Sequence, residues 1–114
     1  MKTTQAELAL ITKANDFTIV HIDAAWDGYR EVVARKIVEL KERKILGVAF
    51  AYIDCDEEMA YASHIGLRNT PAVAYYRGEA LVSTVIGIGQ NIGDNLSIIM
   101  EGGTPDSSNL ISRK

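Results

Sequence analysis

Residues 23–30 read Asp23-Ala24-Ala25-Trp26-Asp27-Gly28-Tyr29-Arg30, and this stretch decides how the chain folds. It follows the apolar run Phe17-Thr18-Ile19-Val20-His21-Ile22, which reads as a buried strand, and it opens an amphipathic segment that reads as a helix. A strand that runs straight into a helix brings the helix's first unsatisfied N–H groups to the carboxyl edge of a sheet, where α/β proteins keep their chemistry. Trp26, Asp27, Tyr29 and Arg30 stand at that junction, and no thiol is among them.

Downstream, Val32, Val33, Ile37 and Leu40 share one face of residues 28–44, while Arg35, Lys36, Glu39, Glu42 and Arg43 lie largely opposite. The spacing predicts an amphipathic helix of about four turns. Lys41, Arg43 and Lys44 complement its dipole, and Gly47 follows as a stop. Val48-Ala49-Phe50-Ala51-Tyr52-Ile53 is a second nearly continuous apolar run, ending in Asp54. Such runs fit strands covered on both faces. Residues 56–64 then read as a short helix capped by Asp56. Asn69-Thr70-Pro71 interrupts before a third strand at 72–76, Arg77-Gly78-Glu79 turns the chain, and residues 80–86 pair back as a fourth strand. Asn91 or Asp94 caps a last helix that runs to about Met100.

Upstream, residues 4–14 carry Ala6, Leu8, Ala9, Leu10 and Ile11 in a helical pattern, with Thr4 as N-cap and Glu7 three residues on. From Gly102 the chain turns small and polar and reads as a mobile tail. The expected organisation is therefore one domain over residues 1–101 and a tail over 102–114. Its order is α, β, α, β, α, β, β, α. A helix between the first two strands imposes a parallel, right-handed crossover, and a hairpin joins the last two. The fold class is α/β, with a central four-stranded mixed sheet flanked by helices on both faces.

Composition narrows the function. The 114 residues suit one core; 47% are hydrophobic and 24% charged, which are ordinary globular values. A net charge of −3 argues against a general nucleic-acid binder, which carries a basic face. No apolar run approaches the roughly 20 residues that span a bilayer. Residues 1–7 lack the apolar core of a signal peptide, so the expectation is a cytoplasmic protein with no membrane partner. Cys55 is the single cysteine, which allows no internal disulfide and no thiolate zinc site; His21 and His64 have no ligand-like spacing. Neither a metal nor another cofactor is expected.

The element order, with Trp26 at the strand-to-helix junction and Thr70-Pro71 before the third strand, resembles the thioredoxin family over residues 5–101. The family's Trp-Cys-Gly-Pro-Cys motif is matched by Trp26-Asp27-Gly28-Tyr29-Arg30. Ile53-Asp54 matches the end of its next parallel strand, Pro71 its cis-proline, and Gly87 the glycine after its hairpin. Both cysteine positions are lost, to Asp27 and Arg30. The family's buried proton-transfer aspartate aligns with His21, and its lysine neighbour with Phe50. The resemblance implies the scaffold and its peptide-binding surface but not dithiol–disulfide exchange.

Physically, Asp27 puts a permanent anion where the resemblance implies a thiolate, and it can cap the helix for about 1 kcal/mol. Arg30, three residues on, can pair with it. The plainer reading is a capped helix with a surface ion pair; the functional reading is a docking site for a partner. His21 reads as a core histidine rather than a relay. Cys55 reads as a small apolar residue, and its neighbours Asp54 and Asp56 disfavour a thiolate. The resemblance implies that Thr70 offers backbone groups to an extended partner, a pairing that needs no cysteine. Trp26, Asp27, Gly28, Tyr29, Arg30, Thr70, Pro71, Gly87 and Ile88 then form the rim of a vacated redox site. The function expected is redox-inactive binding of a protein or extended peptide, as a chaperone-like or assembly module. The alternative is a divergent thiol oxidoreductase of redox homeostasis using Cys55. Monomer and homo-oligomer are both open.

Overall fold

The strand Phe17–Asp23 (β1) runs through the middle of the sheet, and its side chains from Thr18 to Asp23 are all buried. This is a computed structural model, and it describes residues 2–24 and 28–105. The other elements are α1 (Gln5–Ala14), α2 (Arg30–Lys41), β2 (Val48–Asp54), α3 (Met59–His64), β3 (Ala72–Arg77), β4 (Ala80–Ile86) and α4 (Ile92–Met100). The strand order is β2-β1-β3-β4. β1 pairs parallel with β2, Phe17 beside Val48 and Asp23 beside Asp54, and antiparallel with β3. A hairpin turning at Gly78 (φ +60°) joins β3 to β4. This is the mixed sheet and element order expected from the sequence.

Because successive strand side chains point to opposite faces, β1 feeds two separate cores. Ile19 packs with Val33, Ile37 and Leu40 of α2 and with Leu96 and Ile99 of α4. Val20 and Ile22 pack on the other face with Leu8 of α1 and Tyr61 of α3. Covering both faces explains why β1 reads as a nearly unbroken apolar run. Among the described residues, no helix is long and apolar enough to cross a membrane.

The helix ends show which local signals were decisive. Thr4 and Glu7 form the expected capping box, with Glu7 N–H donating to Thr4 Oγ1 (3.1 Å) and Thr4 N–H to Glu7 Oε1 (2.9 Å). Asn91, rather than Asp94, caps α4 by accepting from Asp94 N–H (3.0 Å). The helix expected over 28–44 is shorter: α2 starts at Arg30 and ends at Lys41. The helix expected from 56 starts at Met59, and Asp54, not Asp56, serves its approach. Asp54 Oδ1 accepts the N–H groups of Asp56 (2.8 Å) and Glu57 (3.3 Å), so residues 55–57 form a turn before the helix begins.

Residues 102–105, where the tail was expected to begin, make specific contacts with the sheet and α4. Arg77 Nη2 donates to Gly103 O (2.8 Å) and to Ile99 O (3.0 Å), so one guanidinium holds both the end of α4 and the segment after it. Gly103 N–H donates to Ile98 O (2.8 Å), and Ser83 Oγ donates to the carbonyl of the buried Pro105 (3.1 Å). A cation at a helix C-terminus satisfies carbonyls that would otherwise lack partners. Residues 106–114 lie outside the described residues.

Replacing Thr4 by alanine removes one half of the capping box and is expected to cost about 1 kcal/mol. Urea unfolding checks this: the midpoint should fall while the denaturant slope stays unchanged. An unchanged midpoint would mean the box adds nothing to α1.

Candidate functional site

The carboxyl edge of the sheet is built around Asp23, the last residue of β1 and wholly shielded from water (0% exposed). His21 lies two residues earlier on the same strand face, and its Nε2 is 2.9 Å from Asp23 Oδ2, though without the alignment of a hydrogen bond. Tyr52, the cross-strand partner of His21 on β2, donates its hydroxyl proton to Asp23 Oδ1 (2.5 Å). Arg30, the first residue of α2, donates from Nη2 to Tyr52 Oη (3.1 Å), and its Nε lies 3.7 Å from Asp23 Oδ2. Its guanidinium also sits 5.7 Å from the centre of the Tyr52 ring. Three elements thus deliver an imidazole, a phenolic hydroxyl and a guanidinium to a single buried carboxylate.

The electrostatics follow from that geometry. Burial pushes the Asp23 carboxyl up, but His21, the Tyr52 hydroxyl and the Arg30 guanidinium outweigh it and hold the group below the ordinary carboxylate range. Burial, reinforced by the Asp23 carboxylate, pushes the Tyr52 hydroxyl up, so it remains a proton donor. The cluster is suited to holding one negative charge in place. His21, Arg30 and Tyr52 also line one end of a cavity of about 470 Å³ between α2 and β2.

The expected site residues are placed unevenly. Trp26 and Asp27 lie outside the described residues. Gly28 and Tyr29 are exposed. Arg30 was expected to pair with Asp27 at the surface; its described partners are Asp23 and Tyr52, beneath it. Thr70, Pro71, Gly87 and Ile88 form a connected group. The Thr70–Pro71 bond is cis, and Gly87, at a φ of +115° that suits glycine, donates its N–H to Pro71 O (3.0 Å). Lys36 of α2 donates to the carbonyls of Ile88 (2.6 Å) and Gln90 (2.9 Å), which ties the 87–90 loop to the helix. From below, the buried Gln90 side chain donates to Val85 O (2.9 Å) and Gly87 O (3.0 Å) and accepts from Tyr75 Oη (2.6 Å). Thr70 N–H donates to the side chain of Asn69 (2.9 Å).

Cys55 is half-buried, and its own N–H donates to Asp23 O (2.9 Å). It shares a cavity of about 350 Å³ with Met59, Leu67 and Thr70, so the lone thiol does approach the cis-proline rim. Burial first, then Asp56 and Asp54, pushes its thiol above the ordinary cysteine value. Among the described residues, no group of three or more His, Cys, Asp or Glu is placed to hold a metal.

The reading of the sequence missed Asp23 and Tyr52 as site residues, and took His21 as an ordinary core histidine. A signal was present. His21 and Asp23 stand two apart in a run otherwise apolar from Ile19 to Ala25, so both must share one face of a buried strand.

No family model matches the chain, and no curated protein sequence matches it. Solved structures do. A mutant thioredoxin from Halobacterium salinarum NRC-1 is similar at 28% identity, with a TM-score of 0.73 over 93% of this chain and 89% of that one. Plasmodium falciparum thioredoxin matches at 24% identity and a TM-score of 0.72 over 90% of this chain and 98% of that one. Thioredoxin F from spinach chloroplast matches at 23% identity and a TM-score of 0.73 over 90% of each.

Two outcomes test the site. A carboxyl held below its unfolded value contributes stability that is present above the unfolded pKa and is lost as pH falls through the folded one. The chain should therefore lose stability more steeply between about pH 5 and 3 than Asp23→Asn does; parallel denaturation curves would contradict the assignment. Cys55 should react with iodoacetamide at pH 7.5 more slowly than an unstructured cysteine, on the order of tenfold. Asp56→Asn should recover part of that rate.

Proposed function

Taking the chain as the thioredoxin-like protein that its fold makes it, we propose that it binds an extended segment of a partner protein along the cis-proline groove, without dithiol exchange. It then acts as a chaperone-like or assembly module, in a cytoplasmic setting. The observation that carries this reading is the retained groove: cis Pro71 locked to Gly87, Thr70 at its lip, and an adjoining cavity lined by Met59, Leu67 and Cys55. Main-chain pairing with an extended peptide supplies affinity, and neighbouring pockets supply selection among side chains. Exposed Tyr29, Met59 and Ile88 offer adaptable apolar contacts around it.

Electron transfer has no comparable support. The chain has one cysteine, and the cause of its raised pKa, burial followed by two carboxylates, works against the thiolate that exchange requires. Asp23 is not a free acid either, since three side chains are already committed to its charge.

Thr70 N–H is held by Asn69, so a peptide that takes this donor must displace the amide side chain. Selection from a displayed library of extended peptides should yield binders. Thr70→Arg, which fills the lip, should weaken them at least about tenfold. Asn69→Ala should strengthen them, and Cys55→Ser should leave them unchanged. Disulfide-reductase turnover by the pure protein, or binders indifferent to Thr70→Arg, would overturn the proposal.

A further inference from the structure

We infer that the cavity between α2 and β2 is a binding site for a small aromatic acid, with the acid group on Arg30 and the ring system against Phe50. The cavity has a volume of about 470 Å³, within the range of sites that hold a small molecule. The N-terminal segment forms its outer side. Thr3 N–H donates to Tyr52 O (2.6 Å), Lys2 Nζ donates to Glu57 Oε2 (2.8 Å), and Thr3 itself borders the space. No residue of its wall also lines the cavity beside Thr70, so this inference and the cis-proline groove stand or fall independently.

The chemistry of the ligand is read from the wall. Ala34, Ile37 and Val38 of α2 give it an apolar side, and Phe50 of β2 gives it an aromatic one. The rings of His21 and Tyr52 add to that surface, with centres 5.2 Å apart and planes tilted by 57°. Tilted and offset ring contacts are the ones aromatic groups favour. The charged groups choose the sign. His21, Arg30 and Lys41 border the cavity against a single acid, Glu31. Asp23 is not part of the wall, because its carboxylate is wholly shielded and takes the Tyr52 proton. Arg30 is the better anchor of the two permanent cations. Lys41 is exposed, where one ion pair adds little. Arg30 has five N–H donors, and its described hydrogen bond, to Tyr52, uses only Nη2; Nε, at 3.7 Å from Asp23 Oδ2, is too far to bond. Its fork therefore keeps donors for a carboxylate or sulfonate, the groups a guanidinium holds in a bidentate way. A bare inorganic anion would leave the apolar side unused.

Anilinonaphthalene sulfonate is a fluorescent aromatic acid, and phenylnaphthylamine is the same ring system without the acid group. Titration of the full chain should show saturable binding of the sulfonate, with NMR amide shifts at Ala34, Phe50 and Tyr52. The neutral probe should bind at least about tenfold more weakly. Arg30→Met should weaken the sulfonate about tenfold and leave the neutral probe nearly unchanged. Glu31→Gln should tighten the sulfonate about twofold. Ala34→Phe fills the cavity from a half-buried helix position, so it should abolish binding of both probes even if Arg30→Met impairs folding. Absence of saturable binding overturns the inference, as do equal affinities for the two probes. Sulfonate binding that survives Ala34→Phe, or that shifts only the amides around Thr70 and Gly87, overturns it too.

Discussion

A carboxylate sealed from water at the end of the central strand constrains everything around it. Asp23 has no exposure, and an unpaired charge at such a position costs several kcal/mol. The fold answers from three directions: His21 from β1 itself, Tyr52 from β2, and Arg30 from the first turn of α2. The backbone joins in, since Asp23 O takes the N–H of Cys55 and so fixes where the chain leaves β2. Removing one partner from such a set typically costs about 3–5 kcal/mol, whereas replacing the whole set by apolar groups is often neutral. Asp23, His21, Tyr52 and Arg30 are therefore best regarded as one unit. That unit occupies the junction where the sequence resemblance places redox chemistry.

The architecture was legible because it is written in periodicities that local physics enforces. β1 and β2 are apolar on both faces, and only a sheet covered twice produces such runs. Thr4 with Glu7, and Asn91 with Asp94, are short-range pairings that need no tertiary partner, and both formed. The errors fell where a distant group competes. Asp54 overrode Asp56 as the acceptor before α3 because the end of β2 aims its carboxylate over the turn. Composition gave no sign of the contact that Arg77, about a quarter of the chain away, makes with Gly103.

The site was half legible for the same reason. Thr70-Pro71 and Gly87-Ile88 lie side by side, joined by the bond from Gly87 N–H to Pro71 O, and the turns that carry them are local features. What Arg30 does could not be read from spacing along a helix. The expected pairing with Asp27 lies outside the described residues, and the described reach of the guanidinium is to Tyr52, 22 residues on. Long-range polar contacts of this kind leave only an indirect trace in sequence: polar residues in strands that are otherwise apolar. His21 and Asp23 were that trace.

The loop at 87–90 is fastened by groups that are not part of its surface. Lys36 grips it through the carbonyls of Ile88 and Gln90, and the Gln90 side chain anchors it from inside the core. None of these bonds uses the side chain of Ile88, and none involves Met59 or Tyr29. The loop thus behaves as a mount whose fittings can be exchanged. A substitution of Ile88 therefore leaves these bonds, and the loop backbone they hold, in place. A change at Gln90 offers no such freedom, because it loosens the mount itself.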